Sequence, residues 1–163
     1  MLAETRYFGT IDLDENRVIL FERGIMGFEG YKKWALLYDI EAEGENNISW
    51  LQSLEEASLA LPVISPFCLV EEYAPIVEDE LLESLGKFAD EDLMVLLALT
   101  VPADVKKTTA NMKAPFIINP DTAKGIQVIA ENEDYPVRFQ VYEAVQQRKA
   151  AGKKSQAEKQ DAE

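Results

Sequence analysis

The apolar residues of this chain fall in short runs, each stopped by a turn-forming residue, and that punctuation restricts the fold more than any other feature. Residues 93–101 form a nearly continuous apolar run of strand length, the pattern of a central strand buried on both faces. Phe116-Ile117-Ile118 is a β-branched and aromatic run that Pro115 opens and Asn119-Pro120 closes, since proline cannot continue a ladder. Residues 59–64, closed by Ser65-Pro66, and residues 125–130 read the same way. Only 78–85 carries a convincing helical signal. There Leu81, Leu82 and Leu85 share one face, acids fill the first turn, and Gly86 stands at the stop.

Earlier in the chain, residues 7–13 and 17–21 read as two strands of a hairpin around Asp14-Glu15-Asn16. Strands are expected over 34–39 and 48–54, with a polar, acid- and glycine-bearing loop over 41–47 between them. Gly24 and Gly27 bracket Ile25 and Met26, so these two side chains are expected at the tip of a tight excursion. Such a tip either plugs the domain's own core or is offered to a partner. A last strand is expected within 135–141.

About eight or nine short strands with one or two short helices point to an all-β, mainly antiparallel fold, a small barrel-like or rolled sheet. With 47% apolar residues the chain can build a real core as one domain, placed at 1–142. From 143 the character changes. Residues 144–151 have helical propensity with few apolar anchors, and 153–163 mix Lys, Gln, Ala, Glu and Asp in a low-complexity tail.

Thirty acids against sixteen bases give a net charge of −14, with the surplus of acid confined to residues 1–143. A body this acidic repels phosphate, so direct nucleic-acid binding is not expected. A basic protein partner is favoured, with charge acting mainly on encounter rate and selectivity; an acidic surface that serves only solubility explains the sign equally well. The chain has no histidine, which removes the commonest general base and metal ligand together. Cys68, the single cysteine, sits between Phe67 and Leu69 and reads as a buried, inert thiol. The first residues lack a basic and then apolar leader pattern, and no run reaches the ~18 apolar residues of a membrane span, so a soluble, cytoplasmic protein is expected.

Three acid clusters, Glu71-Glu72, Glu78-Asp79-Glu80 and Asp90-Glu91-Asp92, invite a metal or hydrolytic reading. Consecutive acids diverge along a strand or helix, however, and no Asp-x-Asp-x-Asp-Gly loop occurs to converge them. Solvated faces and a helix start account for them. Glycine-rich phosphate loops are absent, and Ser53, Ser58 and Ser65 have no histidine to activate them. No catalytic residue, cofactor or metal is expected.

Asn111 stands out within Thr109-Ala110-Asn111-Met112-Lys113-Ala114-Pro115, because an asparagine in a polar lead-in has no packing role. It either caps a turn with its side chain or hydrogen-bonds a partner's backbone. The segment continuing to Asn119 resembles the T-A-N-L-x-A-P-hydrophobic-I-N block of the flagellar assembly factor FliW family. Five further blocks fit that family in order: Thr5-Arg6-Tyr7-Phe8-Gly9, Gly24-Ile25-Met26-Gly27-Phe28-Glu29, Trp50-Leu51-Gln52-Ser53, Lys124-Gly125-Ile126-Gln127-Val128-Ile129 and Tyr135-Pro136-Val137-Arg138. The family usually has proline where Met26 stands, so this turn has a free φ and an extra N–H.

The resemblance implies a small β-barrel-like fold and a non-enzymatic, chaperone-like regulator, expected to be monomeric. It implies binding of flagellin in the cytoplasm. It also implies antagonism of the carbon storage regulator, an RNA-binding translational repressor, so that flagellin synthesis is released by partner exchange. The large side chains of the matching blocks, Tyr7, Phe8, Met26, Phe28 and Trp50, are candidate partner contacts beside Asn111, with burial in the core as the competing reading. Two other functions stay open at this point: an acidic β-barrel adaptor without a flagellar role, and an acid-cluster, metal-dependent enzyme.

Overall fold

The computed structural model describes residues 1–38 and 48–148; the loop expected over 41–47 and the low-complexity tail over 153–163 lie outside the described residues. Among the described residues the strands are β1 (Leu2–Thr5), β2 (Gly9–Asp12), β3 (Val18–Leu20), β4 (Lys33–Tyr38), β5 (Ile48–Ser53) and β6 (Ala60–Ile64). They continue with β7 (Met94–Thr100), β8 (Thr109–Ala110), β9 (Phe116–Asn119), β10 (Lys124–Gln127) and β11 (Phe139–Gln140). The fold is all-β with two short helices, α1 (Asp79–Leu82) and α2 over 141–148.

Among these, seven strands close a barrel in the order β3, β4, β5, β6, β7, β9, β10 and back to β3. Every seam is antiparallel except the closing one, where Lys124 of β10 runs parallel beside Leu20 of β3. The apolar run over 93–101 becomes β7, and it is central as its composition required. It pairs with β6 on one side and β9 on the other, and its far end carries β8, which in turn carries β11.

A ring this small has no lumen, so side chains fill it. Phe21, Trp34, Leu51, Val63, Leu96, Phe116 and Ile118 meet inside, with the Phe21 and Phe116 rings edge to face at 6.2 Å. Trp34 is fully buried, and its indole N–H donates to the Tyr31 carbonyl at 3.0 Å, so no polar atom is stranded. Gly125 is required by the same packing. A Cβ there would lie 2.7 Å from the Phe21 ring.

The outer wall is covered in three places. α2 buries Val141 and Ala144 in a cluster with Leu97, Leu99, Tyr73 and Met112. α1 continues as a 3-10 turn (Glu83–Leu85) that drives Leu85 against Ile117, Ile126 and Val128. Gly86, at φ +80, ends that unit where a stop was expected. Ala3 of β1 and Leu13, just after β2, lie over Ala35 of β4.

The N-terminal hairpin differs from the expectation. Its strands are β1 and β2, joined through Arg6-Tyr7-Phe8, whereas β3 pairs with β4 and β10. Thr5 decides the turn: its Oγ1 accepts the Phe8 N–H at 2.9 Å and donates to the Gly9 carbonyl at 2.7 Å, with Gly9 at φ +66. The Asp14 side chain instead accepts from the Asn16 N–H and starts a 3-10 turn (Glu15–Arg17), which sends the chain away from β2. The Cys68 thiol is half-buried rather than buried, and desolvation pushes its pKa up, with the Arg148 charge opposing.

Candidate functional site

The six candidate side chains separate into two groups. Tyr7 leaves the tip of the β1–β2 turn and lays its ring against Trp50 on the outer face of β5, with centroids 4.4 Å apart. The Arg6 guanidinium sits 5.1 Å from the Tyr7 ring centre, a cation over an aromatic face. Tyr7 is half exposed, while Phe8 and Trp50 are partly buried. Gln52 holds this seam. It is 1% exposed, its Oε1 accepts the Arg6 N–H at 3.0 Å, and its Nε2 donates to the carbonyls of Ser53, Ala57 and Leu59.

Met26, Phe28 and Asn111 meet elsewhere, around a cleft of about 340 Å³ at one mouth of the barrel. The two apolar residues of the glycine-bracketed excursion part company at its tip. Ile25 is 1% exposed and plugs the barrel interior, whereas Met26 is 45% exposed and stands on the rim. Gly24, at φ +73, permits the turn: a Cβ there would fall 2.5 Å from Glu29 Cα. The extra N–H that Met26 supplies is used, donating to Gln127 Oε1 at 2.9 Å. Gln127 Nε2 donates in turn to the Ala114 carbonyl at 3.2 Å, tying the excursion to the loop that holds Asn111. The N–H groups of Glu29 and Gly27 hold the exposed Glu29 carboxyl below its ordinary pKa.

Asn111 caps a turn. Its Oδ1 accepts from the N–H groups of Lys113 and Ala114, both at 3.0 Å. The same loop is anchored by Met112, whose N–H donates to the Pro136 carbonyl and whose carbonyl accepts the Tyr73 hydroxyl at 2.7 Å. Tyr73 stacks on Tyr135 at 4.9 Å, and burial pushes its phenol pKa upward. Asn111→Ala is expected to cost about 1 kcal/mol of unfolding free energy, read from the urea midpoint, while Asn111→Asp keeps the acceptor and retains most of it.

The floor of the cleft is Ile25, Leu61, Ala98 and Phe116, and Ile129 and Val137 extend its rim. Lys113 and Gln127 were not singled out from sequence, because nothing local marks them; their roles come from partners far along the chain. Among the described residues no three acidic or thiol side chains converge as a metal-holding group. Glu71, Glu72, Glu78, Asp79, Glu80, Glu91 and Asp92 are all exposed. Ser53 Oγ accepts the N–H groups of Glu55 and Glu56, which is turn capping. Among the described residues no helix is long and apolar enough to cross a membrane.

The chain is similar to known proteins over most of its length. A family model described as FliW protein matches residues 2–141. A flagellar assembly factor FliW of Lachnoclostridium phytofermentans is 49% identical over 148 residues, covering 91% of this chain and 95% of that protein. One from Lachnospira eligens is 49% identical over 144 residues, covering 88% and 95%. A crystal structure of the flagellar assembly factor FliW superposes with a TM-score of 0.78 at 32% identity, covering 87% of this chain and 97% of the other. The six blocks that carry the resemblance fall at the Tyr7–Trp50 seam and around the cleft, and the chain belongs to the FliW family, a family of flagellar assembly factors rather than of enzymes.

Proposed function

We propose that this protein is a cytoplasmic regulator that binds flagellin and, when flagellin is scarce, binds the carbon storage regulator and lifts its repression of flagellin translation. The observation that carries this reading is the mouth of the barrel. There residues of four family blocks, with Leu61 and Ala98, build an apolar floor and an exposed apolar rim, the kind of surface a protein partner covers. Met26, Phe28 and Asn111 are the proposed contacts there, and Tyr7, Phe8 and Trp50 supply a second aromatic contact surface. The net charge of −14 suits a basic, RNA-binding partner and supports the regulator as the second ligand.

The exchange is mutual exclusion governed by concentration and affinity. In a titration with purified flagellin and purified regulator, each is expected to bind the full chain. Flagellin added to the preformed regulator complex is expected to release the regulator. Binding of neither partner would leave the chain as an adaptor of another kind; binding of both at once would remove the exchange.

A further inference from the structure

We infer that the cleft at the barrel mouth receives an apolar segment of a protein partner that carries a side-chain carboxylate, and that Lys113 selects it. The inference rests on reading the chain as a protein-binding regulator, but not on which partners it exchanges. Three observations carry it. First, the cleft is open, and Met26, Ile129 and Val137 on its rim are 45%, 51% and 57% exposed, so its apolar surface continues beyond the cavity. A small ligand would leave that rim wet; a polypeptide segment covers it.

Second, the lining contains one charged residue, and it is a cation. In a chain with thirty acids and sixteen bases, no carboxylate among the described residues lines this cavity, whereas Lys113 does. Lys113 is half-buried, and its Nζ donates to the Asn132 carbonyl at 2.6 Å. No carboxylate among the described residues lies within ion-pair distance of it. An ammonium has three donors, so donor capacity and an uncompensated charge both remain.

Third, the polar capacity left in the cleft is that of a donor. Asn111 Oδ1 is filled by two N–H groups, while its Nδ2 has no partner among the described residues. Gln127 makes one bond at each end, to Met26 and Ala114, so one acceptor site stands against the spare donors of Lys113 and Asn111. Lys113 and Asn111 both line the cleft, so their spare donors border a seated segment, and an anionic acceptor matches them where a basic group does not.

The test uses two labelled amphipathic helical peptides with the same Leu/Phe face, flanked by Glu in one and Lys in the other, titrated against the full chain by fluorescence anisotropy. The overall charge of the protein favours the lysine peptide; the cleft favours the glutamate peptide, by about tenfold. Lys113→Gln is expected to abolish that preference, Lys113→Arg to keep it, and Met26→Asp to weaken the glutamate peptide, with thermal midpoints checked for each. Failure of both peptides to bind, equal or stronger binding of the lysine peptide, or a preference that survives Lys113→Gln would overturn the inference. So would displacement of the glutamate peptide by micromolar decanoate, which would make the cleft a small-molecule site. None of these outcomes bears on whether flagellin binds, which the purified-partner titration decides separately.

Discussion

Gln52→Glu is expected to remove about 3–5 kcal/mol of stability at neutral pH, the cost of a buried charge without a counter-ion. The side chain is 1% exposed and its Nε2 faces three carbonyl oxygens, those of Ser53, Ala57 and Leu59. Three acceptors on one side and the single Arg6 N–H on the other fix the amide's orientation. A carboxylate of the same shape would keep the Arg6 bond and turn the other three contacts into repulsions. Domains of this kind are stable by about 5–15 kcal/mol, so the loss is a large share of the total.

The pH dependence of that loss has a definite sign. Burial beside carbonyls raises the folded-state pKa of the introduced carboxyl, so the folded chain binds its proton more tightly than the unfolded chain. The deficit relative to wild type is therefore small below about pH 4.3, the unfolded value, and grows as pH rises through the folded one. The difference between variant and wild type is the quantity to follow, because the wild type has an acid-sensitive group of its own. The N–H groups of Lys33 and Lys32 hold the exposed Glu55 carboxyl below its ordinary pKa, which contributes stability that is lost as pH falls. Urea titrations of both chains at neutral and acid pH read the effect. A deficit that does not change with pH would place the introduced carboxyl in water, and the seam at Tyr7 and Trp50 would then not be dry beneath.

Fold class was legible in sequence because it depends on local signals. The run that becomes β7 and the Pro115 to Pro120 bracket around β9 carry their strand length and burial in adjacent residues. The first hairpin was not legible, because Tyr7-Phe8 reads as the start of a strand, whereas the Thr5 hydroxyl closes a turn there through Phe8 and Gly9. The site was legible only as a set of blocks. What those blocks do depends on contacts between residues far apart in sequence, Arg6 with Gln52 and Met26 with Gln127, and no pattern within a block encodes its partner. The glycine excursion shows the same limit: the adjacent Ile25 and Met26 look equivalent until the barrel mouth buries one and leaves the other on its rim.

Asn119 shows how far a local reading can miss. Next to Pro120 it reads as a turn initiator, and its Oδ1 does accept the Asp121 N–H at 3.0 Å. It is also fully buried, and its Nδ2 donates to the carbonyls of Leu85 at 2.9 Å and Lys87 at 3.1 Å, clamping the end of the α1 unit to the barrel. Thr122 Oγ1 gives the Leu85 carbonyl a second donor at 2.8 Å, so truncation of Asn119 leaves the Lys87 carbonyl and the Asp121 N–H as the groups without partners. Asn119→Ala is accordingly expected to cost about 2–3 kcal/mol. Asn119→Asp is expected to cost more than the truncation, although it changes the shape less. It replaces a donor by an oxygen aimed at two carbonyls, and a buried repulsion exceeds the cost of a gap that water can enter. Denaturant unfolding ranks the two variants, and native-state hydrogen exchange locates the damage. Protection should fall first around residues 79–88, while β7, held by three strands, keeps the protection of global unfolding. Aspartate tolerated as well as alanine would mean that the amide donors do not hold α1, leaving the packing of Leu85 on Ile117, Ile126 and Val128 to do so alone.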